Sequence, residues 1–255
     1  SVVIVSYNSE DFIEKCLNSI LKNLSEKVEV IVLDNASSDK TVDILKKFGN
    51  KIKLIISDKN LGFAKGNNLA AKEAVGEYLF FLNPDTELEK PIFDELVNFY
   101  EKELDIGIVA PKLIMSDGKV QASVKKLPTL WGAFKEYILE IKNSYREYVP
   151  DGDKPQEVEM AYGAAWLLKK DLFNKLKGFD EKFFLYYEDA DFCRRVREYN
   201  KKIYYYSKVL IKHLVGATKS AQDKYKLNLE SAQKYHGWFK FALLQLIFRL
   251  HQLLS

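Results

Sequence analysis

The first hundred residues alternate between short runs rich in valine and isoleucine and longer amphipathic runs with helical spacing. The apolar runs, which we expect to be strands, are residues 2–6, 28–33, 52–56 and 78–82. The amphipathic runs, which we expect to be helices, are residues 11–24, 41–48 and 65–74. Apolar strands separated by helices are typical of βαβ units, in which a parallel sheet is buried on both faces. The sequence therefore predicts an α/β fold with a mostly parallel central sheet flanked by helices.

The second half of the chain is less regular. It contains a predicted hairpin over 106–115 and 120–123, an aromatic helical stretch over 131–148, a polar loop at 150–155, a helix beginning near Glu188, a strand near 203–206 and a long C-terminal helix. We find neither an internal repeat nor a low-complexity linker, so one α/β domain with a helical tail is expected.

Composition excludes several classes of protein. A hydrophobic fraction of 47% with only 6 prolines is that of a chain with a full core, and it excludes a disordered chain. The net charge of +3 is too small and dispersed to indicate nucleic-acid binding. Cys16 and Cys193 lie in no metal-binding or paired spacing, so we expect reduced, buried thiols. The chain opens on an apolar strand without the basic segment or cleavage pattern of a signal peptide, and none is expected.

The C-terminal apolar stretch at 238–254 is interrupted by polar residues and is too short to predict a membrane span. No acidic residue follows Glu230, whereas Lys234, Lys240 and Arg249 remain. An apolar, aromatic helix with only positive charge suits the surface of an anionic membrane. Packing on its own domain or on a second subunit is an equal alternative.

Polar residues follow each of the four predicted strands in the first half. These strand ends read Ser-Tyr-Asn at 6–8, Asp-Asn-Ala-Ser-Ser-Asp at 34–39, Asn-Leu-Gly-Phe-Ala-Lys-Gly-Asn-Asn at 60–68 and Asn-Pro-Asp at 83–85. In open α/β sheets, ligands bind beyond the carboxyl ends of the strands. The sequence thus predicts one polar cleft at this edge.

Each strand end can be given a functional role, and it also has an ordinary structural explanation. The carboxylate of Asp34 can accept the N3–H of a uracil or thymine ring. Gly62 and Gly66 flank a helix start, where backbone N–H groups favour a phosphate, although glycines are common in turns. Asp85 can hold a divalent cation that bridges two phosphates, although Asn-Pro-Asp is also a turn sequence. Asp39 is equally well explained as a helix N-cap.

Acidic residues also begin a predicted helix in the second half. Glu188, Asp189 and Asp191 follow the aromatic run at 179–187, and such a group can supply a general base at the wall of a cleft. Acids in a first helical turn are favoured by the helix dipole as well, so two of the three have a structural alternative. His213 lies beside a predicted glycine turn, and a metal-binding role for it competes with an ordinary structural one.

Taken in order, these segments resemble glycosyltransferase family 2, which has the GT-A fold, and within it the rhamnosyltransferase-like branch. The resemblance covers about residues 1–220. The matching segments are VIVSYN at 3–8, DNASSD at 34–39, NLGFAKGN at 60–67, NPD at 83–85, GAA at 163–165, GFD at 178–180, Glu188-Asp189 and His213. It implies a nucleotide-binding half at 1–115, an acceptor-binding half at 116–220 and an amphipathic helical tail at 221–255.

The resemblance implies an inverting transfer of a sugar from a nucleotide diphosphate to a hydroxyl group. Asp189 would be the catalytic base, with Glu188 as its neighbour. Asp85 would hold Mn²⁺ or Mg²⁺ against the diphosphate, with His213 as a further metal ligand. The residues implied for nucleotide-sugar binding are Ser6, Tyr7, Asn8, Asp34, Asn60, Gly62, Lys65, Asn67, Asn83, Asp85, Gly163 and Ala164.

One position departs from the family pattern. The family's metal motif is often Asp-x-Asp, and Asn83 occupies its first position here, which weakens the expected metal affinity. Asn-Pro-Asp resembles the rhamnosyltransferase-like branch and favours dTDP-rhamnose or another dTDP- or UDP-sugar as donor. The expected acceptor is a glycan or a lipid-linked glycan, met in the cytoplasm or at the cytoplasmic face of a membrane. Aromatic residues expected near the acceptor are Trp131, Tyr137, Tyr145 and Tyr148.

Two other functions compete with this interpretation. A nucleotidyltransferase would carry a basic, glycine-rich loop after the first strand, and residues 6–8 do not form one. A non-catalytic module that binds a nucleotide or glycan would be free to lose its acids, but Asp85 and the Glu188-Asp189 pair are all present. The sequence favours the transferase.

Overall fold

The computed structural model describes residues 1–25, 27–102, 104–214 and 221–254. The strands are β1 Val2–Ser6, β2 Val30–Asp34, β3 Lys53–Ile56, β4 Tyr78–Leu82, β5 Thr86–Glu87, β6 Ile106–Ile114, β7 Val124–Lys125, β8 Gln156–Val158, β9 Met160–Ala161, β10 Ala165–Lys169 and β11 Lys202–His213. The α-helices are α1 Ile13–Lys22, α2 Thr41–Lys46, α3 Gly62–Lys72, α4 Phe93–Tyr100, α5 Leu130–Tyr137, α6 Lys170–Lys175, α7 Glu188–Glu198, α8 Ala221–His236 and α9 Trp238–Leu254.

The central sheet runs in the order β3-β2-β1-β4-β10-β6-β11-β5, and β8 pairs with β11. The first four of these strands are parallel, as the sequence predicts. The sheet as a whole is mixed rather than mostly parallel, because β10 lies antiparallel between β4 and β6. This strand comes from the irregular second half of the chain and joins the two halves into one sheet. Strands β7 and β9 form a separate small ribbon.

The predicted elements match the structure best in the first half, where β1 and β4 have the expected bounds. The largest differences lie later. The predicted helix over 131–148 ends at Tyr137, because Glu140 and Asn143 adopt positive φ angles that a helix cannot contain. The predicted short strand near 203–206 is part of the twelve-residue β11. The predicted hairpin at 106–123 closes through a single bridge, between Ile114 and Val120.

The core consists of the fully apolar strands and the helices that cover them. Val2, Val3 and Ile4 of β1 are completely buried. Helix α3 packs closely on β1, since a Cβ atom at Gly66 would lie 3.0 Å from Cγ1 of Val5. An aromatic cluster fills the space between the sheet and helices α6 and α7. Its members are Phe81, Trp166, Phe173, Phe179 and Phe192.

The C-terminal region consists of two helices rather than one long helix. They are separated at Gly237, whose φ of +75° breaks the helical path. One face of α9 packs on α5 of the same chain through the buried Leu244. None of the helices in the described part of the chain combines the length and apolarity needed to cross a bilayer. The predicted boundary at 220/221 and the glycine turn after His213 fall within 215–220, outside the described residues.

Candidate active site

Two adjoining cavities lie beyond the carboxyl ends of β1, β2 and β4. The small cavity has a volume of about 170 Å³, and the large cavity has a volume of about 500 Å³. Phe63, Asn83 and Leu185 line both, so the cavities form one continuous cleft. This is where the sequence predicts the ligand to bind.

The small cavity is lined by the polar residues that follow the strands. Tyr7 follows β1, Asn60 precedes α3, and Asp85 follows β4. Asn35 also lines it, although the sequence pattern indicated a binding role for its neighbour Asp34. Its Oδ1 accepts from the N–H of Leu61 at 2.7 Å, and its Nδ2 donates to the carbonyl of Gly62 at 3.1 Å. These two hydrogen bonds fix the loop before α3 against the end of β2.

The carboxylate of Asp34 lies beneath this cavity and is fully buried. Its Oδ2 accepts from the N–H of Ser37 at 2.9 Å, and its Oδ1 accepts from the Ser37 hydroxyl at 2.6 Å and the Ser6 hydroxyl at 3.3 Å. Asn8 accepts a hydrogen bond from the N–H of Ser38 at 2.8 Å. Ser6, Asn8 and Asp34 therefore hold the loops after β1 and β2 together and do not line either cavity. Pyrimidine binding by Asp34 stays a prediction.

The start of α3 is where the sequence predicts a phosphate. The N–H of Leu61 is paired with Asn35, and the N–H of Gly62 donates to Oδ1 of Asn60 at 2.9 Å. The N–H of Phe63 donates to the carbonyl of Phe184 at 2.7 Å. These three donors are already paired within the protein, and phosphate binding at this helix start stays a prediction. Gly62 does line the small cavity, where its φ of +78° and the nearby Phe184 carbonyl exclude a side chain.

Two further residues of this segment lie away from the cleft. Lys65 is exposed, and its Nζ is 3.8 Å from Oε2 of Glu181. Asn67 is buried and donates to the carbonyl of Phe63 at 3.0 Å. Neither lines a cavity, so in this structure both have local structural contacts. The sequence spacing did not show this because side-chain direction on α3 decides it.

Asp85 and His213 meet at the junction of the two cavities. Oδ1 of Asp85 is 3.3 Å from Nε2 of His213, and both side chains are buried. Nδ1 of His213 is 2.7 Å from Oε1 of Gln121. An amide oxygen only accepts hydrogen bonds, so Nδ1 is the donor in this contact, and Nε2 is the ring nitrogen that faces the carboxylate. A carboxylate oxygen and an imidazole nitrogen at this spacing are ligand types that suit a shared cation.

These donors fit a divalent cation that also binds the ligand. Among the described residues, no three His, Cys, Asp or Glu side chains converge on one point. Asp85 and His213 would be two ligands of such a cation. Hard divalent cations are commonly held by one or two protein groups together with phosphate oxygens. Asn83, which occupies the first position of the Asp-x-Asp motif, lines both cavities. Its backbone N–H donates to the carbonyl of Ala164 at 2.9 Å.

The acidic pair at the start of α7 lies in the wall of the large cavity. Tyr186 and Tyr187 precede it with φ angles of 70° and 65°, and these two left-handed residues set the direction of the helix. Glu188 is 5% exposed, and its Oε2 has no hydrogen-bond partner among the described residues. Burial, with the adjacent Asp189 carboxylate, raises the pKa of Glu188 well above its usual value.

Asp189 is held differently from its neighbour. Its Oδ1 accepts from the N–H of Ala190 at 2.7 Å. Burial raises the pKa of Asp189, and the Ala190 N–H and the Lys125 ammonium oppose that rise. The third acid, Asp191, is 2.7 Å from both Arg194 and Arg195 and is structural. Of the three acids, two line the cavity.

The rest of the large cavity combines charged and aromatic side chains. Gly163 and Ala164 line it as predicted, as do Tyr137 and Tyr145, whereas Trp131 and Tyr148 do not. Lys125, Glu147 and Tyr162 also line it, and no sequence motif gives any of the three a role.

These three side chains form one hydrogen-bonded and charged group. Tyr162 donates to Oε1 of Glu147, and Nζ of Lys125 is 3.7 Å from the same oxygen. Burial alone would raise the pKa of Glu147, but the Tyr162 hydroxyl and the Lys125 ammonium hold it below its usual value. An ionised carboxylate beside aromatic rings is a surface that can bind sugar hydroxyl groups.

The chain is similar to several known glycosyltransferases. It is 28% identical to the low-salt glycan biosynthesis hexosyltransferase Agl10 of Haloferax volcanii, over 80% of this chain and 63% of that protein. It is 30% identical to the poly(ribitol-phosphate) β-N-acetylglucosaminyltransferase TarS of Staphylococcus aureus, over 73% and 35%. It is 26% identical to the rhamnosyltransferase WbbL of Escherichia coli, over 80% and 79%. The chain thus spans less than two thirds of Agl10 and of TarS.

Solved structures show the same fold. A fragment of Staphylococcus aureus TarS in complex with UDP superposes with a TM-score of 0.60 at 22% identity, covering 96% of this chain and 68% of that one. GalNAc-T7 with UDP, GalNAc and Mn²⁺ superposes with a TM-score of 0.68 at 15% identity, covering 94% and 48%. At these identities the likeness shows the fold alone, and it confirms the predicted GT-A fold.

A family model decides the assignment. The model described as glycosyl transferase family 2 matches residues 1–177, which include the whole small cavity except for Phe184 and Leu185. The match confirms the resemblance noted in the sequence and disfavours the nucleotidyltransferase alternative. The chain belongs to glycosyltransferase family 2.

Proposed function

We propose that this protein is an inverting glycosyltransferase that moves a sugar from a nucleotide diphosphate to a hydroxyl group of a glycan or lipid-linked glycan. One observation carries the proposal. The large cavity has both Asp189 and His213 in its wall, and His213 contacts Asp85 in the small cavity. A proton acceptor and a cation-binding pair therefore flank one continuous cleft.

The division into two cavities suggests how the substrates are arranged. The nucleotide would lie in the small cavity, against Tyr7, Asn35 and Asn60. The diphosphate would lie near Asp85 and His213, where the cavities join. The donor sugar and the acceptor would then occupy the large cavity, whose aromatic and acidic wall can bind hydroxyl groups. The nucleotide-binding half at 1–115 and the acceptor-binding half at 116–220 stay predictions.

The residues at the junction fit Mn²⁺ or Mg²⁺, held by Asp85 and His213. A cation held by these residues would supply positive charge to offset the negative charge on the departing nucleoside diphosphate. An imidazole nitrogen is a softer donor than the oxygen ligands and waters that Mg²⁺ prefers, so the pair favours Mn²⁺. Gln121 would orient His213 by accepting its Nδ1 proton.

Asp189 would act as the general base. It takes the proton of the acceptor hydroxyl while that oxygen forms a bond to the anomeric carbon. The bond from this carbon to the diphosphate breaks, and its electron pair leaves with the nucleotide. Burial raises the pKa of Asp189, which makes its carboxylate a better proton acceptor. Glu188, whose pKa is raised well above the usual value, would keep its proton and donate a hydrogen bond from Oε2.

The donor and location follow from the sequence and from the relatives. The Asn-Pro-Asp segment and the similarity to the rhamnosyltransferase WbbL support dTDP-rhamnose, and another dTDP-sugar or a UDP-sugar is the alternative. Cys16 and Cys193 are buried and unpaired, as in a reducing compartment. We place the reaction in the cytoplasm, at the face of a membrane that carries the acceptor.

Thermal stabilisation by nucleotides tests the proposal. UDP, dTDP, GDP, CDP and NAD are each added with and without Mn²⁺, and the unfolding midpoint is measured. A ligand at about 100 times its Kd raises the free energy of unfolding by about 2.7 kcal/mol. We expect an Mn²⁺-dependent increase with UDP or dTDP. An unchanged midpoint with every nucleotide would favour a non-catalytic module.

A further inference from the structure

The outer face of α9 is an exposed apolar surface. Of the 17 large hydrophobic residues that are exposed in the described ranges, six lie on this helix, with exposed fractions of 37% to 82%. They are Trp238, Phe239, Leu243, Leu246, Leu250 and Leu253. A monomeric protein rarely leaves so much apolar side chain on one element without a binding partner.

These residues form a single stripe along the helix. Phe239, Leu243, Leu246, Leu250 and Leu253 follow one another at intervals of four and three residues, which places them on one side of an α-helix. The opposite side contains Leu244, which is 1% exposed and packs with Ile247 and Phe248 against α5. Helix α9 therefore has two apolar faces, and the described part of the chain covers only one of them. We call the uncovered face the outer stripe.

The segment on which α9 packs also exposes apolar side chains. Four more of the 17 exposed hydrophobic residues lie between positions 131 and 149, which include α5 and the loop after it. They are Trp131, Leu139, Ile141 and Val149. Ten of the 17 thus belong to α9 and the segment against which it packs.

The charges beside the outer stripe distinguish a lipid surface from a second copy of the chain. Lys240 and Arg249 are exposed and lie next to the stripe, and α9 contains no acidic residue. Paired helices with this spacing are specified by opposite charges at the flanking positions. Two copies of α9 would bring only positive charges to such a pair. An anionic bilayer instead attracts both cations while its acyl region accepts the apolar residues.

We propose that the outer stripe of α9 docks on an anionic lipid surface. The helix would lie in the plane of the interface, with Leu246 and Leu250 inserted and Lys240 and Arg249 at the head groups. Exposed Trp238 and Phe239 lie at its beginning, and aromatic residues of this kind favour the head-group boundary. The docking does not depend on the transfer reaction.

Docking would also position the large cavity. Phe248 is on the covered face of α9 and lines the large cavity together with Tyr137 of α5. One helix therefore contacts the cavity with one face and the bilayer with the other. This step rests on the proposed function: an acceptor sugar attached to a lipid would be presented beside the cavity that holds Asp189.

Vesicle co-sedimentation of the whole chain tests the docking. One set of vesicles contains only phosphatidylcholine, and in the other about a third of the lipid is anionic phosphatidylglycerol. We expect binding to the anionic vesicles, weakened by salt. The double variant Leu246→Gln, Leu250→Gln should lower the partition coefficient about tenfold or more. The matched control is Val75→Gln, Leu104→Gln, which changes two residues that are 83% and 96% exposed elsewhere and should leave binding unchanged.

Three results would overturn the inference. The first is no binding to either vesicle, and the second is equal, salt-insensitive binding to both. The third is a lipid-free dimer by analytical ultracentrifugation that the double variant dissociates, which would mean that a second copy covers the stripe. Nucleotide stabilisation is measured on the same samples, and we expect the double variant to retain it. A failure of docking is thereby separated from a failure of the proposed function.

Discussion

Glu188 and Asp189 lie side by side in the wall of the large cavity, and we assign them different protonation states. Asp189→Asn should lower the rate of sugar transfer by about 10²- to 10⁴-fold, because the amide cannot take a proton. Glu188→Gln should retain transfer within about tenfold, since an amide replaces a neutral acid and can still donate a hydrogen bond. The measurement is release of nucleoside diphosphate with and without acceptor.

The two variants serve as controls for each other, since both replace a carboxyl group by an amide. Nucleotide stabilisation should be nearly unchanged in each, because neither residue lines the small cavity. If Glu188→Gln abolished transfer while Asp189→Asn retained it, the roles assigned to the two acids would be reversed. Turnover retained by both variants would exclude a base at this position.

The proposed cation site depends on the orientation of the His213 ring, which contacts Gln121 through Nδ1. Gln121→Leu should raise the Mn²⁺ concentration needed for nucleotide binding by about 10- to 100-fold, because the His213 ring loses a hydrogen-bond partner and becomes free to rotate and change tautomer. Asp85→Ala should raise this concentration at least as much, because it removes a proposed ligand. Both effects are measured as the Mn²⁺ concentration that gives half of the nucleotide-induced stabilisation. A response identical to that of the parent protein would exclude the assigned role.

At the scale of single residues, the sequence identified the cleft better than it identified side-chain directions. Asn83 and Asp85 follow a buried strand, and both line the cleft. Asp34 also follows a buried strand, but three hydrogen bonds turn its carboxylate away. Gln121 and Lys125 carry no local signal, because Gln121 contacts His213 and Lys125 pairs with Met160, and both partners are distant in sequence. Neither effect can be read from residue type and spacing.

At the scale of elements, the start of α3 is set by its contact with residues 183–185. Gly62→Ala should destabilise the protein by about 3 kcal/mol or more, since strain at positive φ is added to an overpacked contact. The new Cβ would overlap the carbonyl oxygen of Phe184. Gly49→Ala is the matched control, because Gly49 also has a positive φ but nothing within 4 Å, and it should cost about 1 to 2 kcal/mol.

Urea unfolding of the two glycine variants measures this difference. Equal decreases in the free energy of unfolding would show that backbone conformation, and not the contact with Phe184, requires glycine at position 62. A larger cost at Gly62 would show that α3 and the segment before α7 form one unit. That unit includes Leu185, which lines both cavities, so its packing affects the shape of the cleft.

The helices and strands of the first half could be predicted because each has a clear periodicity and a short connection to the next. Those of the second half could not, for two physical reasons. Helix α5 stops early because residues 140 and 143 adopt left-handed conformations, which their residue types do not predict. Strand β10 inserts between β4 and β6, and local patterns do not encode which strands pair.

At the scale of the whole molecule, the α/β class and the position of the cleft follow from the sequence, whereas the way the tail completes the cleft does not. The C-terminal stretch was compatible with a membrane surface, a second subunit or its own domain. The structure shows contact with its own domain on one face and leaves the other exposed. Amphipathic periodicity alone could not separate these outcomes, because α9 is apolar on both faces.

Helix α9 links the acceptor side of the cleft to the outer stripe, and variants of its two faces should separate these roles. Phe248→Ala should raise the KM for the acceptor and lower stability by about 1 to 3 kcal/mol, because it removes a half-buried ring from the wall of the large cavity. Its nucleotide stabilisation should be unchanged, since the small cavity lies on the other side of Asn83.

Phe239→Ala removes a phenyl ring from the opposite face of α9, where Phe239 is 68% exposed. That variant should keep the KM for a soluble acceptor and its stability while binding anionic vesicles more weakly. If Phe248→Ala reduced nucleotide binding instead, the two cavities would not be separate binding regions, and the assignment of α9 to the acceptor half would be wrong.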